Sequence, residues 1–146
     1  MALTELYNAY KTETATPLTE EQFEKLLLYF PCLLIVASDG VVDDEEWYYV
    51  NYLARFIAQR EIGMEDIEEM EKYKAIYLKE MQYLCNHLGN WKESFLMKLK
   101  EYLDLHLHLK DDLEDIMVDF AEASDGISEE ESKMMDYLKE TLNVSL

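Results

Sequence analysis

Positive charge is scarce in this sequence. The chain has 13 Lys and Arg residues against 32 Asp and Glu residues, which gives a formal net charge of −19 at pH 7. Such a charge repels phosphate backbones and anionic lipid headgroups, so it argues against binding to nucleic acid or to a membrane surface. Cations and basic protein surfaces are the partners that this charge favours.

Cysteine, proline, glycine and long apolar runs are also rare. The two cysteines, Cys32 and Cys85, lie in apolar stretches and are predicted to be small buried hydrophobes, not members of a disulfide framework. The longest purely apolar run, residues 32–37, is far shorter than the roughly 20 residues that span a bilayer. Residues 1–10 lack the basic start of a secretory signal. We therefore expect a cytoplasmic protein that is not inserted in a membrane.

The main pattern in the sequence is the helical spacing of its apolar residues. Apolar residues recur three and four positions apart in almost every segment, and two prolines and four glycines leave few strand turns. A chain of 146 residues with 49% hydrophobic content has the size of one domain with a real core. The sequence predicts an all-α, compact single-domain bundle of about seven helices. Residues 1–17 should form a short helix and a joint, and residues 18–146 the main helical domain.

Local signals predict where the helices begin and end. Thr19 and Gln22 form a T-x-x-Q capping box, which predicts a helix start. Pro31 lies inside that helix and should kink it or restart it. Similar signals predict helix ends at Gly63 and Gly89, and helix starts at Asn90, Asp111 and Ser128.

An internal repeat is the most informative feature of the sequence. Residues 37–46 read ASDGVVDDEE and residues 123–132 read ASDGISEEES, and the second Asp lies 125 − 39 = 86 positions after the first. In each copy an apolar helix is predicted to end at Ser-Asp-Gly, where Gly40 or Gly126 permits a sharp turn into an acidic helix. The sequence thus predicts that a helix–DG loop–helix unit occurs twice, with the two units packed about a pseudo-twofold axis.

The repeat concentrates carboxylates. A helix cap needs one or two acidic residues, but each copy supplies at least four. Two such loops packed together would crowd negative charges, which is costly unless a cation neutralises them. Carboxylate oxygens are hard ligands, which favour calcium or magnesium over zinc. The predicted metal ligands are Asp39, Asp43, Asp44, Glu45, Glu46, Asp125, Glu129, Glu130 and Glu131.

A purely structural interpretation of the same residues stays open. Asp43 begins a D-x-x-E capping box and Ser128 an S-x-x-E box, so the acidic residues could serve only as helix caps. An EF-hand, by contrast, does not fit. Val36 and Ser38 occupy the ligand positions before Gly40, and in the second copy a serine stands where the final glutamate belongs.

The two motifs resemble the paired motifs of TerB-like proteins, an all-helical family named for bacterial tellurite-resistance operons. They read V-A-S-D-G-V-x-x-E/D-E near one end and A-x-S-D-G-x-x-x-E/D-E near the other, and the order of elements agrees over residues 18–142. The resemblance implies a stress-response protein with no known catalytic activity and an acidic, metal-binding surface. It implies a TerC-like membrane protein or a calcium-binding TerD-like protein as partner. It places Asp39, Glu45, Asp125 and Glu131 at the core of the site.

Motifs that carry catalysis are missing from the sequence. It contains no P-loop, no G-x-G-x-x-G, no C-x-x-C and no H-E-x-x-H, so we expect no enzymatic activity. His106 and His108 would face different directions on a helix, which makes them a poor zinc clamp.

Aromatic residues directly after the first motif suggest an alternative function. Four of them occur within six positions, Trp47, Tyr48, Tyr49 and Tyr52. They cannot all face inward on one helix, so Tyr48 or Tyr52 should be exposed. The alternative is a metal-independent protein–protein interaction module that uses this acidic and aromatic face.

Overall fold

The computed structural model describes residues 3–37, 44–123 and 129–144, and within these ranges the side chains of residues 44–46, 49 and 121–123 are left undescribed. All regular elements of the described residues are α-helices, which confirms the predicted all-α fold with seven helices. In chain order they are α1 (Leu3–Thr14), α2 (Glu20–Val36), α3 (Asp44–Glu61), α4 (Ile67–Asn86), α5 (Leu88–Leu105), α6 (Leu107–Ala123) and α7 (Glu129–Leu142).

Helix α2 lies at the centre of the molecule. It is apolar on all sides, with a continuous run of buried residues from Leu26 to Val36. A helix without a polar face has to be surrounded by protein. Accordingly, α2 packs against every one of the other six helices.

The start of α2 agrees with the sequence. The Thr19 hydroxyl accepts a hydrogen bond from the Gln22 backbone N–H at 3.2 Å, and the Gln22 side-chain oxygen accepts one from the Thr19 backbone N–H at 2.9 Å. The predicted capping box is therefore confirmed. The helix then continues through Pro31 as one element, so the predicted restart there is wrong. Pro31 removes one backbone hydrogen bond, but burial of the residues on both sides of it outweighs that loss.

Three other predicted boundaries are wrong. Gly89 was expected to end a helix, but α4 already ends at Asn86 and Gly89 lies in the first turn of α5. Because α5 begins at Leu88, Asn90 lies inside the helix, and His87 occupies the N-cap position without a capping hydrogen bond from its side chain. Asp111 likewise lies inside α6 and does not start it.

The helix end predicted at Gly63 is confirmed. Helix α3 ends at Glu61, and Gly63 has a φ of 89°, a left-handed conformation that glycine adopts without strain. Its backbone N–H donates to the Gln59 carbonyl at 3.0 Å. This turn reverses the chain, so that α3 and α4 pack side by side.

Helix α1 and residues 15–19 are anchored in the same core as the rest of the bundle. Leu6, Tyr10 and Leu18 are each at most 2% exposed. The Tyr10 hydroxyl donates to Oε2 of the buried Glu80 at 2.7 Å, and the Thr16 hydroxyl donates to Oε1 of the same carboxyl group. The N-terminal segment is thereby tied to α4. None of the described helices combines the length and the apolar character that crossing a membrane requires.

Candidate functional site

Most of the predicted cation ligands lie outside what the structure describes. Asp39, Asp43 and Asp125 are outside the described residues altogether. The next three predicted ligands, residues 44–46, form the beginning of α3, but only their backbone is described. The predicted repeat of a helix–DG loop–helix unit also depends on residues 38–43 and 124–128, so it remains a prediction.

Three predicted ligands are described with their side chains, and all three lie on the first turn of α7. Glu129 and Glu130 are exposed, and Glu131 is partly buried. Glu129 Oε1 lies 3.6 Å from Lys133 Nζ, one helical turn away. This position, where the partial positive charge of the helix end favours carboxylates, is the one predicted from the sequence.

The donor atoms of α7 fit a hard cation, but α7 alone does not complete a site. Within the described ranges, no three His, Cys, Asp or Glu side chains lie close enough together to hold a metal ion. Calcium takes six to eight oxygen ligands and magnesium six. A cation site at Glu129, Glu130 and Glu131 would therefore need the side chains of residues 38–46 and 124–128.

The helices that border the two acidic segments lie next to each other. Helix α2, which precedes residues 38–43, packs against α7, which follows residues 124–128. Ala37 at the end of α2 and Met134 on α7 line the same groove, which has a volume of about 400 Å³. Met134 also lines an adjoining groove together with Glu130. The last described residue before the first acidic segment thus lies within a few turns of the start of α7.

The aromatic residues that follow the first motif point in different directions. Trp47 is partly buried and packs against the core. Tyr52 is also partly buried, with its ring centroid 6.1 Å from that of Phe120. Tyr48 is 67% exposed. The prediction that Tyr48 or Tyr52 is exposed therefore holds for Tyr48, whereas Tyr49 has no described side chain.

The surface beside Tyr48 carries positive charge. A shallow groove between α3 and α4 is lined by Tyr48, Asn51, Tyr52, Arg55 and Lys74. No motif in the sequence marks Arg55 or Lys74 as members of a site. Arg55 shares a helical face with Tyr48 and Tyr52, which the spacing could have revealed. Lys74 belongs to the next helix, and only the packing of α4 on α3 brings it there.

Tyrosine hydroxyls make the main buried polar contacts. Burial raises the pKa of Tyr10, and its hydrogen bond to Glu80 raises it further. Burial also raises the pKa of Tyr29, as does the nearby carboxylate of Glu61, to which its hydroxyl donates at 2.9 Å. The pKa of Tyr77 is raised by burial, and its hydroxyl donates to the Gln22 carbonyl at 2.6 Å. These groups stay protonated and hydrogen-bonded, so they serve structure.

The Cys32 thiol is poorly suited to nucleophilic chemistry. It is completely buried in α2, and this burial raises its pKa to about 12. The thiolate is the reactive form of cysteine, and such a pKa leaves only a trace of it at neutral pH. Cys32 therefore behaves as the small buried hydrophobe that the sequence predicts.

Compared with models of protein families, with curated proteins and with solved structures, the chain matches none of them.

Proposed function

We propose that the protein is a non-enzymatic, TerB-like adaptor that binds a divalent cation through its two acidic repeats. The observation that supports this proposal is the packing of α2 against α7, with Ala37 and Met134 in one groove. This packing brings the helix before the first acidic segment beside the helix after the second. In this proposal the carboxylates of the two segments repel one another, and a bound cation neutralises that repulsion.

The proposed site combines ligands from both copies of the repeat. Asp39 and Glu45 come from the first copy, and Asp125 and Glu131 from the second. The remaining predicted carboxylates, with Glu129 and Glu130 on the first turn of α7, surround this core and strengthen its attraction for a cation. Oxygen ligands of this kind favour calcium or magnesium.

Cation binding would stabilise one conformation of the surface around the acidic segments. In a chain of net charge −19, the bound ion relieves repulsion between the acidic segments and stabilises the conformation that a partner recognises. By its resemblance to TerB-like proteins, that partner is a TerC-like membrane protein or a TerD-like protein in a cytoplasmic stress response.

Calorimetric titration of the full chain tests the cation site. We expect saturable heat with calcium or magnesium, and weaker binding of zinc. Because an ion that binds only the folded state stabilises it by about 2.7 kcal/mol at a hundredfold excess over its Kd, the same ion should raise the melting temperature, and a chelator should reverse the effect. The double variant Asp39→Asn and Asp125→Asn should lose both signals.

A matched variant separates a specific site from general charge. Glu68→Gln with Glu71→Gln removes the same charge from exposed positions of α4 and should bind the cation like the wild type. The proposal fails if calcium, magnesium, manganese and zinc all give neither heat nor a shift in melting temperature. It also fails if the α4 variant loses binding to the same extent as the aspartate variant.

A further inference from the structure

The groove between α3 and α4 is built from hydrogen-bond donors. Four of its lining residues, Tyr48, Asn51, Tyr52 and Arg55, lie on one face of α3, and Lys74 faces them from α4. The groove has a volume of about 120 Å³. Since a water molecule occupies about 30 Å³ in the liquid, this space holds about four waters, or one compact polar group.

Two positively charged side chains line this groove. Arg55 and Lys74 form no ion pair with any described residue, and every polar residue that lines the groove can donate a hydrogen bond. Arg60, further along α3, differs from them, because its guanidinium lies 3.1 Å from Asp119. Since Arg55 and Lys74 line the same groove, both charges can act on one ligand.

Helix packing holds the residues that line the groove in place. The α3 residues recur at spacings of three and four, so they form a continuous strip along the helix. Tyr52 is held in that strip by its contact with Phe120. Helix α4 packs along α3, and Lys74 is partly buried there. The donors are therefore presented by two helices that the core holds in place.

We propose that this groove binds an oxyanion, the phosphate or carboxylate group of a larger molecule. Arg55 can donate two parallel hydrogen bonds to such a group, and Lys74 contributes a point charge. Asn51 and the Tyr52 hydroxyl complete the donor set, and the exposed ring of Tyr48 offers a face to the part of the ligand that carries the anion. None of these five residues is among the ligands proposed for the cation.

The charge of the whole molecule makes this groove selective. A net charge of −19 repels free anions over long distances, so affinity has to come from short-range donors that act within hydrogen-bond distance. A ligand with an aromatic or apolar portion gains additional contacts with Tyr48, which a bare anion lacks. We therefore expect phenyl phosphate to bind more tightly than inorganic phosphate.

Nuclear magnetic resonance titration of the full chain tests the groove. Phenyl phosphate, inorganic phosphate and acetate are added at constant ionic strength and in the presence of EDTA, which excludes effects of a bound divalent cation. We expect saturable shifts of the Asn51 side-chain amide and of the Tyr48 ring with phenyl phosphate. Saturation by phosphate or by acetate then distinguishes the two sources of the oxyanion.

Variants show whether the two cations carry the binding. Arg55→Gln with Lys74→Gln should weaken phenyl phosphate binding at least about tenfold, because two charge-assisted contacts are lost. Lys72→Gln with Lys79→Gln removes the same charge from exposed positions of α4 and should change the affinity less than about twofold. Arg55→Lys keeps the charge but loses the paired hydrogen bonds, so it should give an intermediate affinity.

Two outcomes would overturn the proposal. One is that none of the three anions gives a saturable shift at Asn51 or Tyr48. The other is that the Lys72 and Lys79 variant loses as much affinity as the Arg55 and Lys74 variant, since the anion would then respond to general charge. Circular dichroism of each variant confirms that the helices are intact. The Arg55→Lys comparison keeps the test valid if the double glutamine variant does not fold.

Discussion

Glu80 shows how one buried side chain can connect distant segments of the chain. It is 5% exposed, and its two carboxyl oxygens accept hydrogen bonds from Tyr10 on α1 and from Thr16 in the segment after it. A buried carboxyl group without partners would cost several kcal/mol, so the two hydroxyls make its burial tolerable. These two hydrogen bonds hold the N-terminal helix against α4.

Replacing Tyr10 with Phe tests the hydrogen bond between Tyr10 and Glu80. The Phe ring keeps the contacts of Tyr10 with Phe23 and Phe95, but the hydrogen bond to Glu80 is lost. We expect the free energy of unfolding to fall by about 1.5–3 kcal/mol, the usual value for a hydrogen bond to a charged group. Urea denaturation followed by circular dichroism measures the change.

Tyr137→Phe provides the matched control, because this tyrosine is 44% exposed. Its substitution should change stability by less than about 0.5 kcal/mol. Equal effects of the two substitutions would show that the contact with Glu80 contributes nothing to stability.

Among the helices, local capping signals predict a boundary only where no stronger force competes. The capping box at Thr19 and the glycine at position 63 are both found as predicted. The boxes at Asn90 and Asp111 are not, because apolar residues extend both helices toward their N-termini. Leu88 precedes Asn90 and packs against the core, as does Leu109 before Asp111. A cap contributes about 1 kcal/mol, and full burial of a leucine about 1.5–3 kcal/mol, so even the partial burial of Leu88 and Leu109 matches the contribution of a cap.

Thr19→Ala measures the capping box at the start of α2. The substitution removes the hydroxyl that accepts from the Gln22 N–H, so we expect a loss of about 1 kcal/mol in the free energy of unfolding. Thr12→Ala on the exposed side of α1 is the control, and it should be neutral or slightly stabilising, because alanine favours helix interiors. Thermal and urea denaturation of both variants compare them. A loss no greater than that of Thr12→Ala would contradict the capping role.

The two candidate sites differ in how far the sequence could predict them. The acidic segments are visible as a repeat, and the first turn of α7 carries its three glutamates as predicted. The groove beside Tyr48 is different, because Arg55 and Lys74 lie on two helices that the turn at Gly63 separates. Only the packing of α3 on α4 makes them neighbours, and periodicity within one helix carries no information on that pairing.

For the whole molecule, stability has to come from the core and not from ion pairs. Each ion pair between described residues has at least one exposed partner, as with Lys25 and Glu61 at 3.6 Å, and solvent-screened pairs contribute little. A net charge of −19 also opposes the compact state. Burial of apolar surface around α2 opposes this repulsion and stabilises the fold. The core also contains tyrosines, and Tyr10, Tyr29 and Tyr77 are each at most 1% exposed.

These buried tyrosines make the protein sensitive to alkaline pH. Their pKa values are raised in the folded state, above the value of about 10 that an unfolded chain shows. The unfolded chain therefore releases protons that the folded chain keeps, so the stability due to these groups is complete below about pH 10 and declines above it. Each tyrosine contributes a slope of up to about 1.4 kcal/mol per pH unit.

Urea denaturation at several pH values between about 8 and 11 measures this slope. Because deprotonation of lysines also changes the net charge in this range, the informative quantity is the difference between variants. Tyr10→Phe removes one of the three buried tyrosines, so above about pH 10 its stability should decline less steeply than that of the wild type, by up to about 1.4 kcal/mol per pH unit. Tyr137→Phe should follow the wild type. If Tyr10→Phe and the wild type decline in parallel, ionisation of the buried phenols is not what unfolds the protein in base.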